Sequence, residues 1–311
     1  MSQEVNIPEV HSYSQILQRA KDKTREQRVR AALVDVSDIN ILKAFARAEA
    51  EGLIDAIVFG DKALFQKICD EHGIQFENVQ MEHAFQRDLA VINAAKMAFD
   101  QKLDLIVKGR VFTADMLTVL FDLGSYFTSK EQCVSHVAVL KPERYDKLLL
   151  LSDSAVIVQP DLKTKLMMVR NLIDVAHLIG IDKPRVSVLA AVESVYPQMP
   201  VTTDAAVLSK MAERGQIKSC YLDGPLSFDI SVDMFAAHAK GVVQSEVAGQ
   251  ADAMLAPHIE VANGIYKAMS LFGRCETGGV IVGGRVPIAL GSRVDSAESK
   301  FNSIVLGVLA A

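Results

Sequence analysis

The sequence lacks any excess of positive charge: its 311 residues hold 33 lysines and arginines against 38 aspartates and glutamates, a net charge of −5. A general nucleic-acid binder shows a basic surplus or stripe, so that class is argued against. A few local cations still suffice for a small anion. Cysteine is scarce. Cys69, Cys133, Cys220 and Cys275 stand far apart with no Cys-x-x-Cys pair, which points away from a disulfide framework or a zinc site and toward reduced thiols. No His-x-x-x-His pair occurs, so no helical metal site is expected.

No apolar stretch approaches the ~20 residues that span a bilayer, because charge cuts the longest ones, as Arg285 does in GGVIVGGRVPIALGS. The opening MSQEVNIPEVHSYSQ lacks a basic-then-apolar signal pattern, and a soluble cytoplasmic protein is the expectation. Nucleotide signatures are missing as well: no G-x-G-x-x-G after the first strand, no P-loop and no G-x-S-x-G elbow. Dehydrogenase, kinase and serine-hydrolase readings therefore lack their usual physical parts.

What is present is an alternation of short apolar runs with longer amphipathic segments. AALVDV (31–36), IDAIVFG (54–60), LDLIVKG (103–109), VSHVAVL (134–140), KLLLLSD (147–153), VSVLAAV (186–192), ADAMLAP (251–257) and GGVIVGG (278–284) read as strands. Helices fall between them, one capped by Asp38 and stopped at Gly52, another stopped at Gly73, and a last one after SRVDS. The rhythm predicts βαβ units and a mostly parallel sheet covered on both faces, since near-continuous Val/Ile/Leu strands are buried on both sides. No linker or composition break marks a domain boundary.

Ligands of open α/β sheets collect outside the carboxyl ends of the strands, so a site is expected at those ends. Lys108-Gly109-Arg110 precedes Thr113 at a helix start, an arrangement suited to an anion or to a solvated basic turn with Thr113 as a cap. Asp223-Gly224-Pro225, with Asp229 nearby, can orient a ligand or cap a helix. Asn263 and Lys267 share a helix face at i, i+4 spacing, with Glu260 and Tyr266 close by. The richest segment is GGRVPIALGSRVDS (283–296): a glycine pair, Arg285 and Arg293 as forked phosphate donors, the Ser292 hydroxyl, and Asp295 or Ser296 as a carboxylate or a cap.

In order along the chain, VKGRVFTADML, SHVAVL, LSDSAVIVQPDLKTK, AAVESVYPQMPVTTDAA, LDGPLSFD, SEVAGQADAMLAP, ANGIYK and GGRVPIALGSRVDS resemble the phosphate acetyl/butyryltransferase family. SHVAVL and GSRVDS resemble its butyryltransferase-like branch. The resemblance implies two three-layer α/β domains meeting at a cleft, of the isocitrate/isopropylmalate dehydrogenase-like type. Residues 1–133 plus 285–311 would build one domain and 134–284 the other. It implies acyl-CoA + phosphate ⇌ acyl phosphate + CoA with a butyryl, acetyl or branched acyl group, in a homodimer or higher homo-oligomer. Coenzyme A would be a substrate, with no tightly bound cofactor and no metal. A same-fold enzyme using acyl carrier protein, or a non-catalytic ligand-binding homologue, are the alternatives.

Carried over by position, the resemblance makes Ser292 the serine assisting the tetrahedral intermediate and Arg293 the phosphate-binding arginine. Thr113 and Ser135 would line the acyl-phosphate pocket, Lys108 and Arg285 would add substrate contacts, and Asn263 and Lys267 would touch coenzyme A. The chain departs from the family in three places: Ser299 stands where the acetyltransferase branch has a catalytic aspartate, leaving Asp295 or Glu298 to serve. His258 and Ala262 replace the usual aspartate and glycine around the coenzyme A segment.

Overall fold

A computed structural model describes residues 10–84, 86–128 and 132–311. The chain begins with α1 (Tyr13–Thr24), β1 (Val29–Val34), α2 (Ile39–Ala50), β2 (Ile54–Gly60), α3 (Lys62–His72) and β3 (Val79–His83). Next come α4 (Arg87–Phe99), β4 (Leu105–Lys108), α5 (Thr113–Asp122), a 3-10 turn at Gly124–Tyr126, β5 (Ser135–Lys141) and β6 (Leu149–Ser152). They are followed by α6 (Leu162–Ile179), β7 (Arg185–Leu189), α7 (Pro200–Glu213), β8 (Tyr221–Leu226), α8 (Phe228–Val232) and α9 (Met234–Ala239). The last elements are β9 (Ala253–Leu255), α10 (Ile259–Phe272), β10 (Glu276–Val282), β11 (Ile288–Ala289) and α11 (Ala297–Ala310).

Two compact α/β units divide the chain. One contains Leu17–Ala138, Ala155–Ile157 and Glu276–Ala311; the other contains the described residues up to Ile16, Val139–Ser154 and Val158–Cys275. In the first unit the strands run β3-β2-β1-β4-β11-β10, and β5 begins beside β10. The pairs β1–β2, β2–β3, β1–β4 and β4–β11 are parallel. In the second unit β6-β9-β7-β8 is parallel throughout.

Local chemistry explains the element ends. Asp38 and Asp61 accept the amides of Asn40 and Ile41 and of Ala63 and Leu64, starting α2 and α3. Gly73 ends α3 at φ 62°, a left-handed position where glycine carries no Cβ penalty. β10 and β11 depart from the parallel pattern and pair antiparallel. The link between them, residues 283–287, is too short for the crossover a parallel pair needs, so a hairpin is the available geometry.

Alternation along β4 sorts the first unit's core. Ile106 faces a cluster with Val34, Phe59, Ala90, Ala94 and Met116, built largely from α4 and α5. Leu105 faces α11, which sits so close that a Cβ on Gly307 would lie 2.6 Å from Leu105 Cδ1. Glycine is needed there for approach. Gly307→Ala should lower stability by about 1–3 kcal/mol through overpacking, read as a reduced midpoint in urea unfolding. An unchanged midpoint would mean that α11 is not seated in this way.

Candidate active site

In the first unit, β1, β4 and β11 are neighbours and run parallel, so their carboxyl ends share one edge of the sheet. Three sequence segments meet there: Asp35 to Asn40 after β1, Lys108 to Thr113 after β4, and Leu290 to Ser296 after β11. Gly109 lets the first two touch. Its amide donates to the Val34 carbonyl at 2.8 Å, and a Cβ would fall 2.1 Å from the Asp35 carbonyl oxygen. No side chain fits.

Lys108, only 5% exposed, ends β4. Its ammonium donates to the Val111 carbonyl at 2.9 Å and the Gly109 carbonyl at 3.2 Å. Burial pushes its pKa down to about 8, and the nearby charges of Lys300 and Arg293 push the same way against Asp38 and Asp35. Lys300, on α11, is equally buried and pairs with Asp38 Oδ2. The other oxygen of Asp38 receives the Asn40 amide at 2.9 Å and the Ile41 amide at 3.1 Å. One carboxylate thus starts α2 and neutralises a lysine.

Asp35 has a left-handed backbone at φ 77°. Its Oδ1 accepts the Ser37 amide and hydroxyl at 2.9 and 2.7 Å. Its Oδ2 lies 2.8 Å from Arg87 Nε, an ionic contact outside hydrogen-bond geometry. A cavity of about 170 Å³ opens beside this pair, lined in part by Ser37, Gly60, Asp61 and Leu64.

The third segment is a locked turn. Asp295, buried, accepts the Ser292 amide on Oδ2 at 2.6 Å, and the Asp295 amide donates back to the Ser292 carbonyl at 3.1 Å. The Asp295 carbonyl takes a hydrogen bond from Asn40 Nδ2 at 3.3 Å, tying this turn to the start of α2. Ser296, not Asp295, caps α11 by accepting the Ser299 amide. Arg293 reaches the second segment: its guanidinium carbon lies 4.1 Å from the centroid of the Phe112 ring. Thr113 is the first helical residue of α5, Phe112 holds the cap position, and no side-chain cap bond forms. Capping therefore does not account for Thr113.

The other expected site residues are placed differently. Ser135 is fully buried at the start of β5, separated from β11 by β10. Arg285 is occupied in part: its guanidinium donates to the carbonyls of Ser125 and Tyr126 at 3.0 and 3.1 Å and lies 4.8 Å from the Phe99 ring. It straps the 3-10 turn. Asn263 and Lys267 belong to the second unit, where Asn263 Nδ2 donates to the Ser154 carbonyl at 2.9 Å and Lys267 lies 5.2 Å from the Tyr266 ring. There too, Asp223 accepts its neighbour's amide and the Ser209 hydroxyl, while Asp229 pairs with Lys240. The Ser299 hydroxyl oxygen accepts from the hydroxyls of Thr277 and Ser296.

A family model described as phosphate acetyl/butaryl transferase matches residues 65–308. The chain belongs to that family. It is 40% identical over 303 residues to a phosphate butyryltransferase of Clostridium acetobutylicum, covering 97% of this chain and 99% of that protein. It is 33% identical over 295 residues to a phosphate acetyltransferase of Thermotoga maritima, covering 95% and 99%. Among solved structures, a branched-chain phosphotransacylase from Enterococcus faecalis superposes with a TM-score of 0.75 at 27% identity, over 91% of this chain and 98% of that one. Membership in the family makes the protein an acyltransferase and makes coenzyme A a substrate. Among the described residues no histidine, cysteine and carboxylate group forms a metal-holding cluster, and no helix is long and apolar enough to cross a membrane.

The sequence singled out Lys108, Thr113, Ser292, Arg293 and Asp295, which lie at this edge; it offered Asp38 only as a cap and gave Lys300 and Phe112 no part. Lys300 reads as a polar position of an amphipathic helix, and its burial depends on where α11 lands. A Lys108 that titrates near 8 carries its charge below that pH and loses it above. In lysine-selective NMR one ammonium should titrate about two units below the ordinary lysine value near 10.4, and Lys108→Met should erase that resonance's transition. A spectrum in which every lysine titrates above pH 10 would refute the burial argument.

Proposed function

We propose that this protein transfers a short acyl group, butyryl, acetyl or branched-chain, between coenzyme A and inorganic phosphate. The observation that carries the reading is the contact of Arg293 with Phe112, which draws the Ser292 turn beside Thr113 and the Lys108 ammonium. Family membership supplies the reaction class, and the cations supply a reason for an anionic substrate. The reading also takes the enzyme to be a cytoplasmic homodimer or higher homo-oligomer, as the family resemblance implies.

In this scheme phosphate binds against Arg293 and Lys108, with the Thr113 hydroxyl and the start of α5 beside it. A phosphate oxygen attacks the thioester carbonyl, the C–O bond forms, and the tetrahedral oxyanion receives the Ser292 hydroxyl as donor. Collapse breaks the C–S bond and releases coenzyme A as thiolate. In reverse the thiol must ionise first, and free thiols near pKa 8.5 are mostly protonated at neutral pH. Adjacent cations favour the thiolate, so Lys108 and Arg293 supply part of what a carboxylate base supplies elsewhere. Asp295 enters through Ser292: its carboxylate already holds the Ser292 amide.

Phosphate-dependent thiol release from acetyl-, butyryl- and isobutyryl-CoA tests the function directly, and no release with any of them would end the reading. Ser292→Ala should lower kcat by about a hundredfold or more, the usual effect of losing one oxyanion donor. Arg293→Ala should act mainly on the KM for phosphate. Asp295→Asn keeps an acceptor for the Ser292 amide and should retain far more activity than Asp295→Ala. Equal losses in those two variants would instead assign Asp295 the proton transfer.

A further inference from the structure

Arg293 is exposed, yet among the described residues its side chain makes no hydrogen bond or salt bridge; its recorded partner is the ring of Phe112. An arginine side chain left to itself samples many rotamers, and Arg293 also sits close enough to Lys108 for like charges to repel it. Something has to hold it over the site.

Phe112 has no other evident task. It is 53% exposed, so it is not a core residue. It occupies the N-cap of α5, where serine, threonine, aspartate and asparagine are favoured, and it makes no cap bond. Its ring does what a capping side chain cannot: it offers a negative quadrupole face to a cation. Contact through the guanidinium carbon leaves the in-plane N–H donors unengaged, and these are the groups that fork onto a phosphate.

We infer that Phe112 is the positioning residue for Arg293, holding the guanidinium by ring contact so that its donors meet phosphate preorganised. The inference rests on the reading of Arg293 as a phosphate ligand. Phe112 touches no reacting atom in this account, and its effect passes through Arg293.

Steady-state kinetics on the full chain separate the two ideas. Phe112→Leu keeps an apolar side chain of similar size without the π face, and should raise the KM for phosphate about fivefold, as should Phe112→Ala. In both, kcat should stay within about twofold and the KM for acyl-CoA should not move, since ordering Arg293 is a binding effect. Phe112→Tyr restores the ring and should restore the phosphate KM. Phosphate binding measured by calorimetry should follow the same order without reliance on turnover. In an Arg293→Ala background, Phe112→Leu should add nothing further, because the coupling partner is gone. If Arg293→Ala raises the phosphate KM while Phe112→Leu leaves it at the parent value, the Phe112 inference is overturned and the acyltransfer reading stands. If Arg293→Ala itself leaves phosphate use unchanged, the site reading fails first. A Phe112→Leu variant that shifts the acyl-CoA KM instead would make Phe112 a wall of the acyl pocket, contrary to the proposal.

Discussion

Two lysine ammoniums buried at one edge of one sheet, Lys108 and Lys300, impose the constraint around which this region is arranged. A buried cation is tolerated only when paired or hydrogen-bonded. Lys300 is met by Asp38, and Lys108 by two backbone carbonyls, which is hydration replaced but not charge cancelled. The remaining positive potential is then increased by Arg293. Asp35 and the buried Asp295 carboxylate offset part of that charge. Cations so placed are a physical reason for the proposed anionic substrate.

The same constraint explains why several connections converge on Asp38. Its carboxylate starts α2 and pairs with α11, and Asn40 on the first turn of α2 reaches the Asp295 carbonyl. The Ser292 turn is therefore anchored by Asn40 as well as touching Phe112 through Arg293. With Ser299 engaged by Thr277 and Ser296, the position of the family's acetyltransferase-branch aspartate has become part of a helix start. In the proposed scheme the cations at this edge share in stabilising the thiolate.

Much of the fold was legible because strands such as IDAIVFG and helices such as DKALFQKICDEH carry their periods and stops locally; Asp38 caps and Gly73 stops a helix where the sequence places them, whereas the cap at Asp61 had not been anticipated. β11 was not legible. Two residues, Ile288 and Ala289, form a strand only because β4 and β10 flank them. α1 and β3 carry more mixed composition and went unread. In the site, glycine and arginine spacing pointed to 283–296, whereas the tasks of individual residues depended on packing. Arg285 and Arg293 look alike in sequence, but one straps the Ser125–Tyr126 carbonyls and the other lies over a ring. Thr113 looked like a cap because threonine is a good one; the backbone enters α5 one residue earlier.

That last displacement carries a general point about where the functional edge lies. Several local rules are broken in this neighbourhood: a phenylalanine at an N-cap, an aspartate at φ 77°, two buried lysines, and a glycine whose Cβ would strike a backbone carbonyl. Elsewhere in the unit Gln86 also stands at an N-cap without a side-chain bond and Gln101 sits at φ 58°. Each violation costs stability, an uncapped helix start alone typically about 1 kcal/mol. Chains keep such costs where a site requires them. The residues of this neighbourhood follow β1, end or follow β4, or lie on the first turn of α11, at the carboxyl edge where a parallel sheet leaves its strand ends open. Several of these violations gather at the edge where the acyl-transfer site is proposed.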